Sequence, residues 1–216
     1  VASEYPAANP KLILYEAFGQ EIPAGKSCEE MGFAFFSAEA VASIGKAFDT
    51  GRVPIEKTVT LVDKNGRKTI ISARIGTPIA DVLAAHQIQT GDGDRLIVGG
   101  PMTGSAIFDE QRPILADTDA ILVQGAADVS LVSDYPCINC GECVRACPTR
   151  VPVNMLVRFL EAGQYEDGAE LYDLDSCVDC GLCSFVCVAR IPIFQYIRLA
   201  KYELSRLTAA EASNAQ

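Results

Sequence analysis

Apolar positions recur at two different periods along this chain, and the change of period marks out its segments. Pro10–Phe18 (PKLILYEAF) has helical spacing, with Gly19 placed to stop it. Glu30–Phe36 is a short apolar run of strand length. Ser37 then reads as the N-cap of a helix from Ala38 to Phe48, which carries Val41, Ile44, Ala47 and Phe48 on one side and ends near Gly51. Residues 1–55 therefore read as the end of an α/β unit, too short to fold well alone.

Residues 56–129 change to period two. Lys57–Val62 and Lys68–Ile75 are β-branched alternating runs separated by Asn65-Gly66, a dipeptide that accommodates the positive φ angles of a tight hairpin. Thr77 is placed to cap a following helix, with Pro78 in its first turn, and Val82, Leu83 and Ala85 carry it to about His86. Arg95–Val98 and Ile121–Val123 are further strands. Two strands, a helix and more strands predict a β-grasp-like α+β module. Gly99–Gly104 reads as a turn after Arg95–Val98 rather than as a ligand loop.

Residues 130–216 return to helical spacing. Val153, Leu156, Val157 and Leu160 form a stripe ending at Gly163, and Tyr165, Ala169 and Tyr172 mark a second short helix. After Pro192, the positions Ile193, Tyr196, Ile197, Ala200, Leu204 and Leu207 outline a longer amphipathic helix. Ala209–Gln216 reads as frayed.

Within this last segment, eight of the nine cysteines fall into two copies of Cys-x-x-Cys-x-x-Cys-x-x-x-Cys. The first copy is Cys137, Cys140, Cys143 and Cys147; the second is Cys177, Cys180, Cys183 and Cys187. Three thiolates at steps of three wrap one corner of a cubane cluster, and the fourth points away to a second one. The pattern predicts two [4Fe–4S] clusters with crossed ligation: Cys137, Cys140, Cys143 and Cys187 on one, Cys177, Cys180, Cys183 and Cys147 on the other. Disulfides suit small secreted chains better than this one. Zinc sites pair two Cys-x-x-Cys knuckles and would leave the third cysteine surplus. The whole is thus an α+β protein ending in a helical ferredoxin domain.

Charge and composition narrow the partners. A net charge of −10 over 216 residues argues against nucleic acid and against direct adhesion to anionic lipid. It favours a partner with a basic docking patch. No apolar run approaches the ~20 residues that span a bilayer. Thiols reserved for clusters imply a reducing, cytoplasmic location, with any membrane contact made on the inner face through partner subunits. The chain opens on Val1 without a signal peptide, and upstream residues are expected to be missing. Cys28 reads as a small buried thiol, and His86 as an imidazole near a helix end without a catalytic neighbour. Arg145 and Arg150, flanking Cys147, are placed to tune a cluster or dock a partner, though solvated surface explains them as well. No catalytic motif is present, so no residue is assigned a catalytic role.

The order of these motifs resembles the C subunit of the Rnf electron-transport complex. The likeness is carried by Tyr5-Pro, Lys11-Leu-Ile, Gly19-Gln-Glu-Ile-Pro, Gly99-Gly-Pro-Met-Thr-Gly104, Pro136-Cys-Ile-Asn-Cys-Gly-Glu-Cys and Ile191-Pro-Ile-Phe-Gln-Tyr. The resemblance implies that residues 1–55 end a flavin- and NADH-binding domain, that 56–129 form a soluble-ligand-binding β-grasp (SLBB) domain, and that 130–216 form the two-cluster ferredoxin domain. It implies electron transfer between NADH and ferredoxin, coupled to ion pumping by membrane subunits. This chain lacks the Gly-rich flavin and dinucleotide loops, so FMN and NADH are expected only on upstream sequence or on a partner. The second quartet also ends in Cys187-Val188 where the first ends in Cys147-Pro148; Val188 restores an N–H that could reach a cluster sulfur. Three functions stay open: an electron-wiring subunit partnered by ferredoxin, a flavoprotein or membrane subunits; a soluble relative such as a cobalamin reductase; and an iron–sulfur sensor or scaffold.

Overall fold

Gly19 ends the first helix as the sequence predicts, and Asn9, which no sequence signal had marked, begins it. In the computed structural model, which describes residues 4–214, α1 spans Pro10–Phe18. The Asn9 side chain accepts the Lys11 N–H at 3.1 Å, and Gly19, at φ 66°, closes the last turn. The chain divides into two compact units: residues 36–130 form one, and residues 1–35 join 131–216 in the other. Residues 4–35 thus pack with the cysteine segment.

The strand expected over Glu30–Phe36 does not form. Ser27 and Glu30 instead bond reciprocally: the Glu30 carboxylate accepts the Ser27 N–H at 2.8 Å, and Ser27 Oγ accepts the Glu30 N–H at 3.2 Å. Two further turns, from Gly32 N–H to Glu29 and from Phe33 N–H to Cys28, complete the fold-back. Local side-chain bonds have taken the backbone groups that a strand would need.

In the sheet unit, α2 spans Ala38–Thr50, capped by the Ser37 hydroxyl and ended by Gly51 at φ 64°. Its expected stripe exists but faces outward: Val41, Ile44 and Phe48 are exposed. What holds α2 is Glu39. Its carboxylate accepts from Lys57 Nζ at 2.5 Å and from the Thr58 N–H at 2.6 Å, while Lys57 also reaches Asp119 at 2.7 Å.

Five strands follow, β1 (Glu56–Val62), β2 (Lys68–Arg74), β3 (Arg95–Val98), β4 (Ser105–Ile107) and β5 (Ala120–Gln124), with α3 (Ile79–Ala85) between β2 and β3. Their order is β2-β1-β5-β3-β4; β1 and β5 run parallel at the centre, and the other neighbours are antiparallel. Alternation puts Val59, Leu61, Ile121 and Val123 on the buried face, against Ile79, Val82 and Leu83 of α3.

Two local expectations change. The β1–β2 turn uses only Gly66 at positive φ (76°), because the Asp63 carboxylate accepts the Asn65 and Arg67 N–H groups and supports a wider turn. Thr77 does not cap α3. Pro78 holds the cap position without a side-chain bond, and the free N–H groups of Ile79 and Ala80 donate to the carbonyls of Arg112 and Glu110. The Gly99–Gly104 turn joins β3 to β4. A Cβ on Gly104 would fall 2.6 Å from the Gly100 oxygen, so the turn admits no side chain there.

In the cysteine unit, α4 (Glu142–Arg145), α5 (Val153–Glu161), α6 (Tyr165–Leu171), α7 (Leu182–Phe185) and α8 (Ile193–Asn214) surround one core. Leu156, Val157, Leu160, Ile193, Ile197 and Ala200 are each at most 2% exposed. The frayed end expected from Ala209 is instead helical to Asn214, and Ala215 and Gln216 lie outside the described residues. Among the described residues no helix is long and apolar enough to cross a membrane.

One expectation for the sheet unit concerns pH. Bonds from Lys57 and the Thr58 N–H hold the Glu39 carboxyl below its ordinary value of 4.5. A depressed acid stabilises the fold above its unfolded pKa and loses that effect as pH falls through the folded one. Burial works to lower Lys57, but its bonds to Asp119 and Glu39 outweigh that and raise it. Lys57→Met should therefore destabilise the unit near neutral pH and flatten its acid loss. Urea midpoints at about pH 7 and below Glu39's titration check this, and an unchanged acid limb would refute it.

Candidate metal centre

The two cysteine runs fold as near copies. Asn139 (φ 60°) and Asp179 (φ 54°) take the left-handed conformation, as do Gly141 (φ 78°) and Gly181 (φ 76°). Asn, Asp and Gly bear that conformation at least cost, and it folds the loop back on itself. The third cysteine of each run, Cys143 or Cys183, then enters a short helix, α4 or α7, and is buried. Arg150 (φ 58°) and Arg190 (φ 56°) turn the chain again, each donating its N–H to the fourth cysteine's carbonyl. Pro152 and Pro192 lead into α5 and α8. The cysteine spacing was visible in the sequence, but left-handed arginines carry no such signal and were missed.

The structure brings Cys137, Cys140 and Cys143 together with Cys187, the last cysteine of the other run, around one small cavity walled by Val157, Ile191 and Ile193. Cys147 conversely lies within electrostatic reach of Cys177 and Cys180. Cys183 feels Cys177, Cys180 and, across the repeat, Cys143. Among the described residues no group of three or more His, Cys, Asp or Glu converges on a position for a single metal ion. The thiols of the cavity surround a volume instead. An all-sulfur donor set with apolar walls fits an iron–sulfur core and is a poor host for a hard, oxygen-seeking cation.

Burial dominates the thiol electrostatics. It pushes Cys143 up to about 11, helped by Cys137 and Cys140, and Cys177 to about 11. Cys183 reaches about 12, and Cys180 is raised too, again chiefly by burial. Opposing this, N–H groups of Val144, Asp179, Leu182 and Ser184 point at the sulfurs of Cys143, Cys177, Cys180 and Cys183. A bound cation is what offsets the burial cost of several thiolates together.

The second loop is the better clamped of the two. Lys201 Nζ donates to the Cys177 carbonyl at 2.9 Å and to Asp179 at 2.7 Å. Asn9 donates to the Val178 carbonyl at 3.0 Å, and the Tyr5 hydroxyl donates to that of Cys180. Asn9 and Lys201 were not picked out by sequence reasoning, and Tyr5 only as part of the resemblance, since nothing local marks a side chain that bonds a distant carbonyl. On the first loop, Asn154 donates to Asn139 at 2.7 Å, and Arg145 pairs with Glu142 and the Cys140 carbonyl. Arg150 is exposed, as is Val188. Cys28 is buried and belongs to neither quartet. His86 ends α3 in the sheet unit.

This geometry has counterparts among known proteins. Residues 136–191 match the 4Fe–4S dicluster domain, so the class is that of iron–sulfur proteins. The C subunit of the ion-translocating oxidoreductase complex of Rhodobacter capsulatus is 32% identical over 172 residues, 79% of this chain and 33% of that protein. Its counterpart in Edwardsiella ictaluri is 33% identical over 96% of this chain and 26% of its own length. The C subunit of the proton-translocating ferredoxin:NAD(+) oxidoreductase complex of Clostridium ljungdahlii is 32% identical over 93% of this chain and 44% of itself. This chain is a homologue of the Rnf C subunits. It spans a quarter to under half of the length of these relatives.

Ser184 offers a check on how the second loop is anchored. Its hydroxyl accepts the N–H of buried Phe194 at 2.7 Å, at the start of α8. Ser184→Ala should cost about 1–3 kcal/mol by leaving that N–H unpaired, with Ser184→Thr recovering most of it. Denaturant midpoints of the three proteins compare them, and equal midpoints would remove the anchor role.

Proposed function

We propose that this chain is an electron-transfer subunit of an Rnf-type redox complex, relaying single electrons through two [4Fe–4S] clusters. The observation that carries the reading is the company kept by the fourth cysteines: Cys187 beside Cys137, Cys140 and Cys143, and Cys147 beside Cys177 and Cys180. Cys137, Cys140, Cys143 and Cys187 would hold one cluster, and Cys177, Cys180, Cys183 and Cys147 the other. A bound cluster takes up and returns one electron with no bond made or broken. The chain's part is to hold the thiolates, direct N–H groups at the sulfurs, and exclude water with Val157, Ile191 and Ile193.

The rest of the reading follows the homologues. Residues 130–216 would be a helical ferredoxin domain. The hairpin, α3 and the central parallel pair β1–β5 support reading 56–129 as an SLBB-type β-grasp. Residues 1–55 would be the end of a flavin- and NADH-binding domain by descent, although 4–35 pack with the cysteine unit. Electrons would pass between a flavin and NADH site, on sequence outside these residues or on a partner, and a ferredoxin or membrane partner. The chain would work at the cytoplasmic face of the membrane, held there by other subunits. The relatives' names favour this over a cobalamin reductase or a sensor, since they describe subunits of ion-translocating complexes.

Alanine variants with EPR of the reduced, anaerobic protein test the crossing without assigning signals. Cys147→Ala should leave the same residual spectrum as Cys177→Ala, and Cys187→Ala the same as Cys137→Ala. If Cys147→Ala instead matched Cys137→Ala, ligation would be uncrossed and the proposal would fail.

A further inference from the structure

The two cysteine loops are copies in backbone but not in surroundings. At the second loop, Val178 is 8% exposed, and its carbonyl and that of Cys180 are taken by Asn9 and Tyr5 of this same chain. At the corresponding place on the first loop, Ile138 is 64% exposed. Cys140 is the one quartet cysteine classed as exposed, whereas its counterpart Cys180 is half-buried. The chain covers the apolar position of one copy with its own amino-terminal residues; on the other, among the described residues, Arg145 and Asn154 bond the loop but Ile138 stays open.

The bare side is also apolar. Tyr135 is 74% exposed and Val188 65%. They flank the same cavity, because Ser133 donates its N–H to the Arg190 carbonyl at 3.0 Å, and Ile138, Cys187 and Ala189 line it. The charged residues nearest in sequence, Asp134 and Arg190, are exposed and opposite in sign, and Glu142 and Arg145 pair with each other. A charged carrier would find little to steer it here, so the overall charge of −10 does not describe this rim.

Electron transfer weakens steeply with distance, so exposure of a ligand decides which site an outside protein can reach. We infer that the wire is oriented: the site of Cys137, Cys140, Cys143 and Cys187 is its outer end, and the site clamped by Tyr5, Asn9 and Lys201 is its inner end. The inference rests on the two-cluster reading above. The outer end serves a separate one-electron carrier protein that sets an uncharged patch on Tyr135, Ile138 and Val188, as this chain's own residues do on the second loop. The inner end is turned toward the chain's own amino-terminal side.

The test uses the anaerobic, cluster-loaded chain and a bulky, water-soluble dysprosium chelate that speeds EPR relaxation of whatever lies near the surface. The signals are told apart by Lys201→Gln, which removes a cation beside Cys177, and by Ile138→Glu, which adds an anion beside Cys140. Ile138→Gln replaces the latter if the acid disturbs folding. The signal moved by the Ile138 variant should relax several-fold more strongly with the chelate than the signal moved by Lys201→Gln. Equal relaxation, or the reverse order, would overturn the orientation while leaving two clusters in place. A single cluster signal in the unaltered chain would instead remove the two-cluster reading, and the orientation with it.

Discussion

The contact on which the cysteine site depends is the packing of α5 against α8. Leu156, Val157 and Leu160 meet Ile193, Ile197 and Ala200 in a core from which water is excluded. Burying aliphatic side chains of this size is worth about 1.5–3 kcal/mol each. Each helix follows its own cysteine loop directly, through Val151-Pro152 and Ile191-Pro192, and the proline restricts the backbone at that junction. Fixing the two helices against each other therefore fixes the two loops face to face. The thiols meet because the apolar residues do.

That division of labour explains why the loops themselves are so poor in core residues. A cluster loop must turn its backbone N–H groups inward, and left-handed residues at Asn139, Gly141, Asp179 and Gly181 do this. Such a loop cannot bury enough apolar surface to hold itself. It is held from outside by side chains on neighbouring elements, such as Lys201 on α8 and Asn154 on α5. In the sheet unit the polar link works differently. Glu39, Lys57 and Asp119 tie α2 to the strands with charge, while the apolar stripe of α2 takes no part.

Much of this was legible beforehand, for reasons that differ by element. α1, α2, α5, α6 and the body of α8 carried caps, stops or stripes, all local signals, and appeared where expected. By contrast, α4 and α7 had no such signal, and α8 runs on past Ala209 to Asn214. The errors fell where local and distant interactions competed. Glu30–Phe36 had strand composition, yet Ser27 and Glu30 closed a turn first. Thr77 looked like a cap, but loop carbonyls at Glu110 and Arg112 satisfied α3. β4 is three residues long and has no pattern of its own; it exists because β3 offers an edge.

The sequence by itself set out eight thiols in two equal runs and raised the expectation of crossed pairing. Eight thiols at fixed steps admit few partners, since spacing along a loop is covalent geometry. It also determined which residues are apolar, and hence that α5, α8 and the sheet would each bury a face. Only the tertiary structure decided that Cys187 shares a cavity with the first run, and that residues 4–35 pack with the cysteine segment. It alone decided that Cys180 is sheltered while Cys140 is bare. Those outcomes turn on contacts between residues far apart in the chain, which burial and hydrogen bonding select among many sterically allowed arrangements. The cysteines have the same spacing in both copies, and nothing in that spacing distinguishes the covered copy from the open one.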